Sequence, residues 1–299
     1  MRFLDQMRAH SDEPLAVSPD FFSSFAFMGN HESGLVDQDA WYAKLEARMD
    51  SAGFERTKTR GLFTIGSIGV IPVSGAISQK YHWLMDYFGG TSTEVIVNAL
   101  IAATNDESIS STVLDMSSPG GSVSGVTEAA AAIRKLRDIK QIHAIANPLA
   151  ASAAYAIASS ASKVYATASA QVGSVGVIAT HFSHQKQLED EGVEVTMITA
   201  GKHKSEGNPY EPLSDEAKKD MQAKVDKFYD IFVSDVSKGR GVGKDVVKAS
   251  YGQGRVLTSD KAKSAGMIDG VLTMGELIQS LTPKKKASNN ANRVRVASL

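Results

Sequence analysis

The chain has 299 residues, 42% hydrophobic and 22% charged, with no cysteine and a formal net charge of −1. That length holds one large or two small domains with a sizeable core, and the composition excludes a disordered, fibrous or collagen-like chain. Zero cysteine excludes disulfides, a thiol nucleophile and thiolate zinc sites, and near-neutral charge gives no reason to expect a nucleic-acid partner.

Residues 1–20 carry Asp5, Asp12, Glu13 and Asp20 and two prolines, so they do not read as a secretory signal. No window offers the ~18 apolar residues of a membrane-spanning helix, so the chain reads as soluble, with no membrane partner. A cluster of Phe21, Phe22, Phe25 and Phe27 follows. Asp37 or Asp39 then caps a helix expected to run to about Ala52, with Trp41, Leu45 and Met49 spaced four apart on one face. After the basic stretch 56–60 the texture changes, and from Leu62 to about Leu281 short β-branched runs alternate with alanine-rich helical stretches.

The expected strands are 68–73, 112–116, 141–146, 163–166, 175–180 and 193–199. The expected helices are 93–105, 126–137, 151–162, 184–190, 215–237, 259–265 and 274–281. Strands alternating with crossover helices predict an α/β domain with a largely parallel sheet. The organisation is therefore an N-terminal extension over 1–60, an α/β domain over 61–282, and a disordered tail over 283–299. That tail holds Lys284, Lys285, Lys286, Arg293 and Arg295 and no acidic residue, so the body of the chain is acidic.

Three segments carry candidate chemistry. The first, Ser118-Pro119-Gly120-Gly121-Ser122, lies between an expected strand and an expected helix. Such a turn can leave backbone N–H groups free for an oxyanion, or it can simply be a tight turn. The second places Ser152 in the first turn of an alanine-rich helix, where small neighbours leave its hydroxyl approachable; a capping serine is the plainer reading. A serine nucleophile needs a base. None of the seven histidines stands in a recognisable hydrolase motif: His143 alternates with apolar residues, and His181 and His184 lack further metal ligands. Lysine is the other base available when burial brings it toward neutrality, and the third segment, Ala200–Pro209, supplies Lys202 and Lys204.

Taken together, Ser-Pro-Gly-Gly-Ser at 118–122, Ala-Ser-Ala-Ala-Tyr at 151–155, Gly-Ser-Val-Gly-Val at 173–177 and His-Lys-Ser-Glu-Gly-Asn-Pro at 203–209 resemble peptidase family S49. Ile-Pro-Val-Ser-Gly at 71–75 and Ala-Gly-Met-Ile-Asp at 265–269 extend the resemblance over about residues 62–281, on the side of the family's phage capsid proteases. The resemblance implies a ClpP/crotonase-like fold and a Ser-Lys serine peptidase without cofactor or metal. Ser152 matches the nucleophile, Lys204 the general base, Ser174 the serine that orients the lysine, and Gly120 and Gly121 the oxyanion-hole turn. Ala153 and Ala154 stand where many relatives have glycines.

It also implies scaffold, portal or major capsid proteins as substrates, a homo-oligomer, and a place in the host cytoplasm or procapsid interior. A soluble enzyme like signal peptide peptidase A is the alternative. A crotonase-type acyl-CoA enzyme or an inactive structural capsid component stands behind it.

Overall fold

The computed structural model describes residues 14–18, 21, 36–80 and 82–283. The expectations for Phe22, Phe25 and Phe27 and for the cationic tail from Lys284 onward lie outside them. The elements begin with β1 (Leu15–Val17) and α1 (Gln38–Ser51). Asp37 caps α1 by accepting from the N–H groups of Asp39 and Ala40, and Leu45 and Met49, one turn apart, are its buried face. Then follow β2 (Glu55–Arg56), β3 (Phe63–Ile65), β4 (Ile68–Ser78), α2 (Trp83–Phe88), β5 (Gly90–Ser92) and α3 (Thr93–Asn105). The central crossover comprises β6 (Ser111–Ser122), α4 (Val126–Arg137), β7 (Ile142–Ala151) and α5 (Ala153–Ser159). After β8 (Lys163–Ala166) and β9 (Gln171–Gly173) come α6 (Gln185–Asp190), α7 (Asp215–Arg240) and α8 (Lys244–Ser250). The last elements among the described residues are β10 (Val256–Thr258), α9 (Ser259–Ser264), β11 (Gly270–Val271) and α10 (Met274–Leu281).

The fold is α/β, with a mostly parallel sheet whose spine runs β10-β9-β7-β6-β4-β3-β2. The three central strands, β4, β6 and β7, are buried almost throughout their length because both faces are covered. On one face, α3 and α4 lay down apolar residues at helical spacing: Ile96, Ala99, Leu100 and Ala103, then Val126, Ala129, Ala130 and Ile133. On the other, Met49 of α1 and Leu277 of α10 close over Phe63, Ile68, Val70, Val113 and Ile145.

The central strands all break register at one level. The β4–β6 ladder shifts between Ser74 and Ala76, and the β6–β7 ladder shifts after Met116, which pairs with Ala146 while Ser117 pairs with Leu149. Bulges of this kind bend strands and re-aim their ends. Beyond the break, β7 exchanges its partner β8 for β9, β4 takes β5, and the end of β6 takes β1. The site is built from these redirected ends.

Two expected strands are absent. Over 175–180 only Ile178 forms a bridge, to Leu15. Residues 193–199 are irregular and mostly exposed, with Ile198 95% accessible, and pair with no described strand. The helix expected from Ala151 starts at Ala153 instead, since Ala151 still pairs within the sheet, with Gly173 of β9. The helix expected to stop at Ser237 continues to Arg240 and ends at Gly241 in the left-handed conformation.

Candidate active site

Ser152 sits at the junction of β7 and α5 with φ 55° and ψ −119°. Among the described residues only Ser152, Ser174 and Gln253 are non-glycine residues with positive φ. Such a conformation costs about 1–3 kcal/mol and persists where surrounding contacts over-determine it. Here the Ser152 N–H donates to the Gly173 carbonyl at 2.6 Å, and all seven residues of α5 are buried. Tyr155 anchors that helix by donating its hydroxyl to the Met267 carbonyl at 2.9 Å. The Ser152 hydroxyl is fully buried and donates to the Gly176 carbonyl at a long 3.4 Å.

Gly120 lies against it. A methyl group on Gly120 would stand 3.0 Å from Ser152 Cβ and would overlap the carbonyl oxygen of Ala16. Its φ of 105° also suits glycine alone. One on Gly121 would overlap the Ile77 backbone across the sheet. Both glycines are therefore dictated by close backbone approach at the redirected end of β6. The Gly120 N–H donates to Ser118 Oγ at 3.2 Å, and the Ser118 hydroxyl donates in turn to the Gly75 carbonyl at 2.6 Å.

Ser174 follows β9 directly, with φ 53°. Its N–H donates to the Arg255 carbonyl at 2.8 Å and its hydroxyl to the Val17 carbonyl at 3.4 Å. Ser152 thus lies against Gly120 and hydrogen-bonds to the residue before Ser174, while Ser174 reaches Val17, the strand partner of Gly120. Lys204 is not hydrogen-bonded to any of them. It stands on the exposed turn 201–207, and its ammonium makes no hydrogen bond or ion pair with any described residue. Lys202 on the same turn pairs with Glu216 at 3.0 Å.

The remaining titratable groups serve other purposes. His143, buried in β7 and stacked on Tyr165, has neither ring nitrogen hydrogen-bonded to a described residue, and burial depresses its pKa. His181 Nε2 lies 3.0 Å from the Asn208 carbonyl oxygen. Among the described residues, His203, Glu206 and Glu216 form the cluster whose ligand atoms lie within 4.8 Å of one another, on the surface beside Lys202. Asp115, buried in β6, has its pKa raised to about 6 by burial, against the pull of Arg48 at 3.9 Å and an Asn147 hydrogen bond at 3.2 Å.

Sequence reasoning overlooked two participants. Ser118 stands inside a motif that was visible, and its role as acceptor for the Gly120 N–H was legible only from geometry. The strand Leu15–Val17 is a three-residue apolar run between Pro14 and Pro19, too short to stand out from its surroundings.

A mostly parallel sheet that presents a serine at a strained strand–helix junction, against a glycine-bearing strand end, is an arrangement suited to acyl-transfer chemistry. The chain belongs to peptidase family S49, whose model matches residues 134–288. It is similar to the capsid assembly protease C of Escherichia phage lambda, 34% identical over 221 residues, or 74% of this chain and 50% of that protein. It is also similar to the head-tail preconnector protein GP5 of Enterobacteria phage P21, 30% identical over 276 residues, or 89% of this chain and 54% of that protein. The chain spans about half the length of these two relatives. Among solved structures it is similar to a ClpP1 mutant from Listeria monocytogenes, with TM-score 0.43 and 13% identity over 69% of this chain and 92% of that one. Among the described residues no helix is long and apolar enough to cross a membrane.

Proposed function

We propose that this chain is a serine endopeptidase of phage head assembly, with Ser152 as nucleophile and Lys204 as general base. The observation that carries the reading is the strained Ser152 held against Gly120 at the end of β6. Neutral Lys204 takes the proton from Ser152 Oγ as that oxygen bonds to a peptide carbonyl carbon. Backbone N–H groups at Gly120 and Gly121 receive the oxyanion, the Gly120 N–H exchanging its Ser118 Oγ acceptor for it. As the C–N bond breaks, Lys204 returns the proton to the leaving amine, and water then resolves the acyl-enzyme with the same lysine as base. Ser174 holds the amine in place by hydrogen bonding. Lys204 suits the base better than Lys202, which is committed to Glu216.

A lysine base needs a desolvated position, and in the single chain the Lys204 turn faces solvent. Val193, Val195, Ile198 and Tyr210, all exposed, flank it. A second copy covering this strip would remove water from the turn, so a homo-oligomer is the active form in this reading. The two phage relatives direct the proposal toward scaffold, portal or capsid proteins as substrates. Ser152→Ala and Lys204→Ala are each expected to abolish cleavage of an unfolded fluorescent casein while leaving the circular dichroism spectrum unchanged. Full activity in Lys204→Ala would overturn the base assignment in favour of Lys202.

A further inference from the structure

The slot beside Ser152 is filled by the chain's own N-terminal segment. Residues 15–17 run antiparallel to the end of β6, with Leu15 opposite Ser122, Ala16 opposite Gly121 and Val17 opposite Gly120. The Ser18 N–H extends this ladder by donating to the Pro119 carbonyl at 2.8 Å. On its other edge Leu15 exchanges two backbone hydrogen bonds with Ile178, at 2.7 and 2.9 Å, and Ser174 donates to the Val17 carbonyl. The segment is thus a strand laid between two edges, each of which belongs to a segment bearing a candidate site residue. Ala16's carbonyl oxygen and Ser152's Cβ both lie against Gly120, where a methyl group on that glycine would meet each of them.

Its side chains are seated as a bound peptide's would be. Leu15 and Val17 face one way, into an apolar cluster with Ala76, Leu84 and Tyr87 that Phe182 flanks. Ala16 faces the other way, into a narrow cavity with Val123, Val126, Ala153 and Phe232. Alternate side chains entering opposite pockets, with main-chain bonds along both edges, is the geometry of peptide recognition by strand addition.

We propose that residues 15–18 are a built-in occupant of the substrate slot, which holds Ser152 covered until a peptide strand displaces it. The proposal rests on the reading of Ser152 and Gly120 given above. It assigns the slot an extended segment with a small side chain at the Ala16 position, flanked by aliphatic ones. A slot filled intramolecularly is available only in the fraction of molecules whose strand has lifted, so the apparent rate of any reaction at Ser152 is reduced by that fraction.

Two full-length variants release the strand by different means. Ala16→Asp places a carboxylate in a mostly apolar cavity that the Asp235 carboxylate already lines, and Ser18→Pro removes the N–H that reaches Pro119 together with the hydroxyl that accepts from the Phe21 N–H at 3.4 Å. Hydrogen exchange reads the occupancy. The Leu15 and Ser18 amides are expected to be protected in the wild type; the Leu15 amide in both variants, and the Ser18 amide in Ala16→Asp, are expected to exchange freely. An added Pro-Leu-Ala-Val-Ser peptide is expected to restore protection at residues 120–122 and 175–178 in the variants. Labelling by a fluorophosphonate reads the covering of Ser152 and is expected to accelerate about tenfold or more in both variants. Free exchange of residues 15–18 in the wild type overturns the proposal, as does an unchanged labelling rate in a variant whose strand has left. Labelling that fails in released and wild-type protein alike overturns Ser152 as nucleophile, while exchange and peptide protection still report who fills the slot.

Discussion

Gly120 and Ser152 approach so closely that a single methyl group on Gly120 would lie 3.0 Å from the serine's Cβ. The glycine therefore does more than turn the chain: it sets the spacing between the end of β6 and the strained start of α5. Gly120→Ala keeps the N–H, but its methyl pushes the strand end away from Ser152 and carries the oxyanion donor out of place, so kcat/KM for peptide cleavage is expected to fall by about 100-fold or more. Steady-state kinetics on folded variant protein checks this, and an active Gly120→Ala enzyme would show that the strand end takes no part.

Asp115 makes stability fall as pH rises. Burial raises its folded pKa to about 6, above the unfolded value near 4. Below about pH 4 the carboxyl is protonated in both states and burial costs nothing through charge. Between pH 4 and 6 the unfolded chain loses its proton first, so unfolding is favoured progressively, by about 3 kcal/mol once both states are ionised. Carboxylates with lowered pKa, such as Asp50 and Asp269, act in the opposite sense, so the quantity to measure is a difference. Urea unfolding of wild type and Asp115→Asn at pH 4, 5 and 7 is expected to show the variant gaining stability relative to wild type as pH rises.

Arg134 and Asp235 join α4 to α7 beside α5. Their side chains meet at 2.9 Å, Asp235 is almost wholly buried, and Arg134 also donates to Ser160 Oγ at 3.1 Å. Removing one partner strands the other charge in the interior. Asp235→Ala is expected to cost about 3–5 kcal/mol in urea unfolding, and the Arg134→Met, Asp235→Ala double variant to recover much of it.

Lys202 and Lys204 are two residues apart on one turn and are expected to behave differently. The Lys202–Glu216 pair is exposed on both sides, so Lys202→Ala should leave the melting temperature nearly unchanged and retain cleavage. Lys204→Ala should lose cleavage at unchanged stability. Parallel activity assays and thermal melts of the two variants separate the roles.

The parts of the fold legible in the sequence are those where local pattern and tertiary burial agree. Residues 93–105, 126–137, 163–166 and 274–281 form elements with the expected bounds, because their apolar spacing matches one buried face or a short β-branched run. Residues 193–199 carry the same strand-like pattern yet pair with no described strand, and alternation alone does not make a strand. Conversely β1 is invisible locally, since three residues become a strand only because the ends of β6 and of the 175–178 segment lie on either side. Ser152 and Gly120 meet at strand ends lying beyond the register breaks of the β4–β6 and β6–β7 ladders, which have no local signature in the sequence. Lys204 sits on an exposed turn, and a turn's place relative to a distant serine is written in no local periodicity.

The central claim is that Ser152 attacks the peptide bond. Peptide mapping by mass spectrometry after treatment of Ala16→Asp protein with a fluorophosphonate tests it most directly. The account predicts one adduct, on the fragment containing Ser152, with parallel loss of casein cleavage and no such adduct in the Ser152→Ala variant. Cleavage that persists in Ser152→Ala, or an adduct confined to another serine, would contradict it.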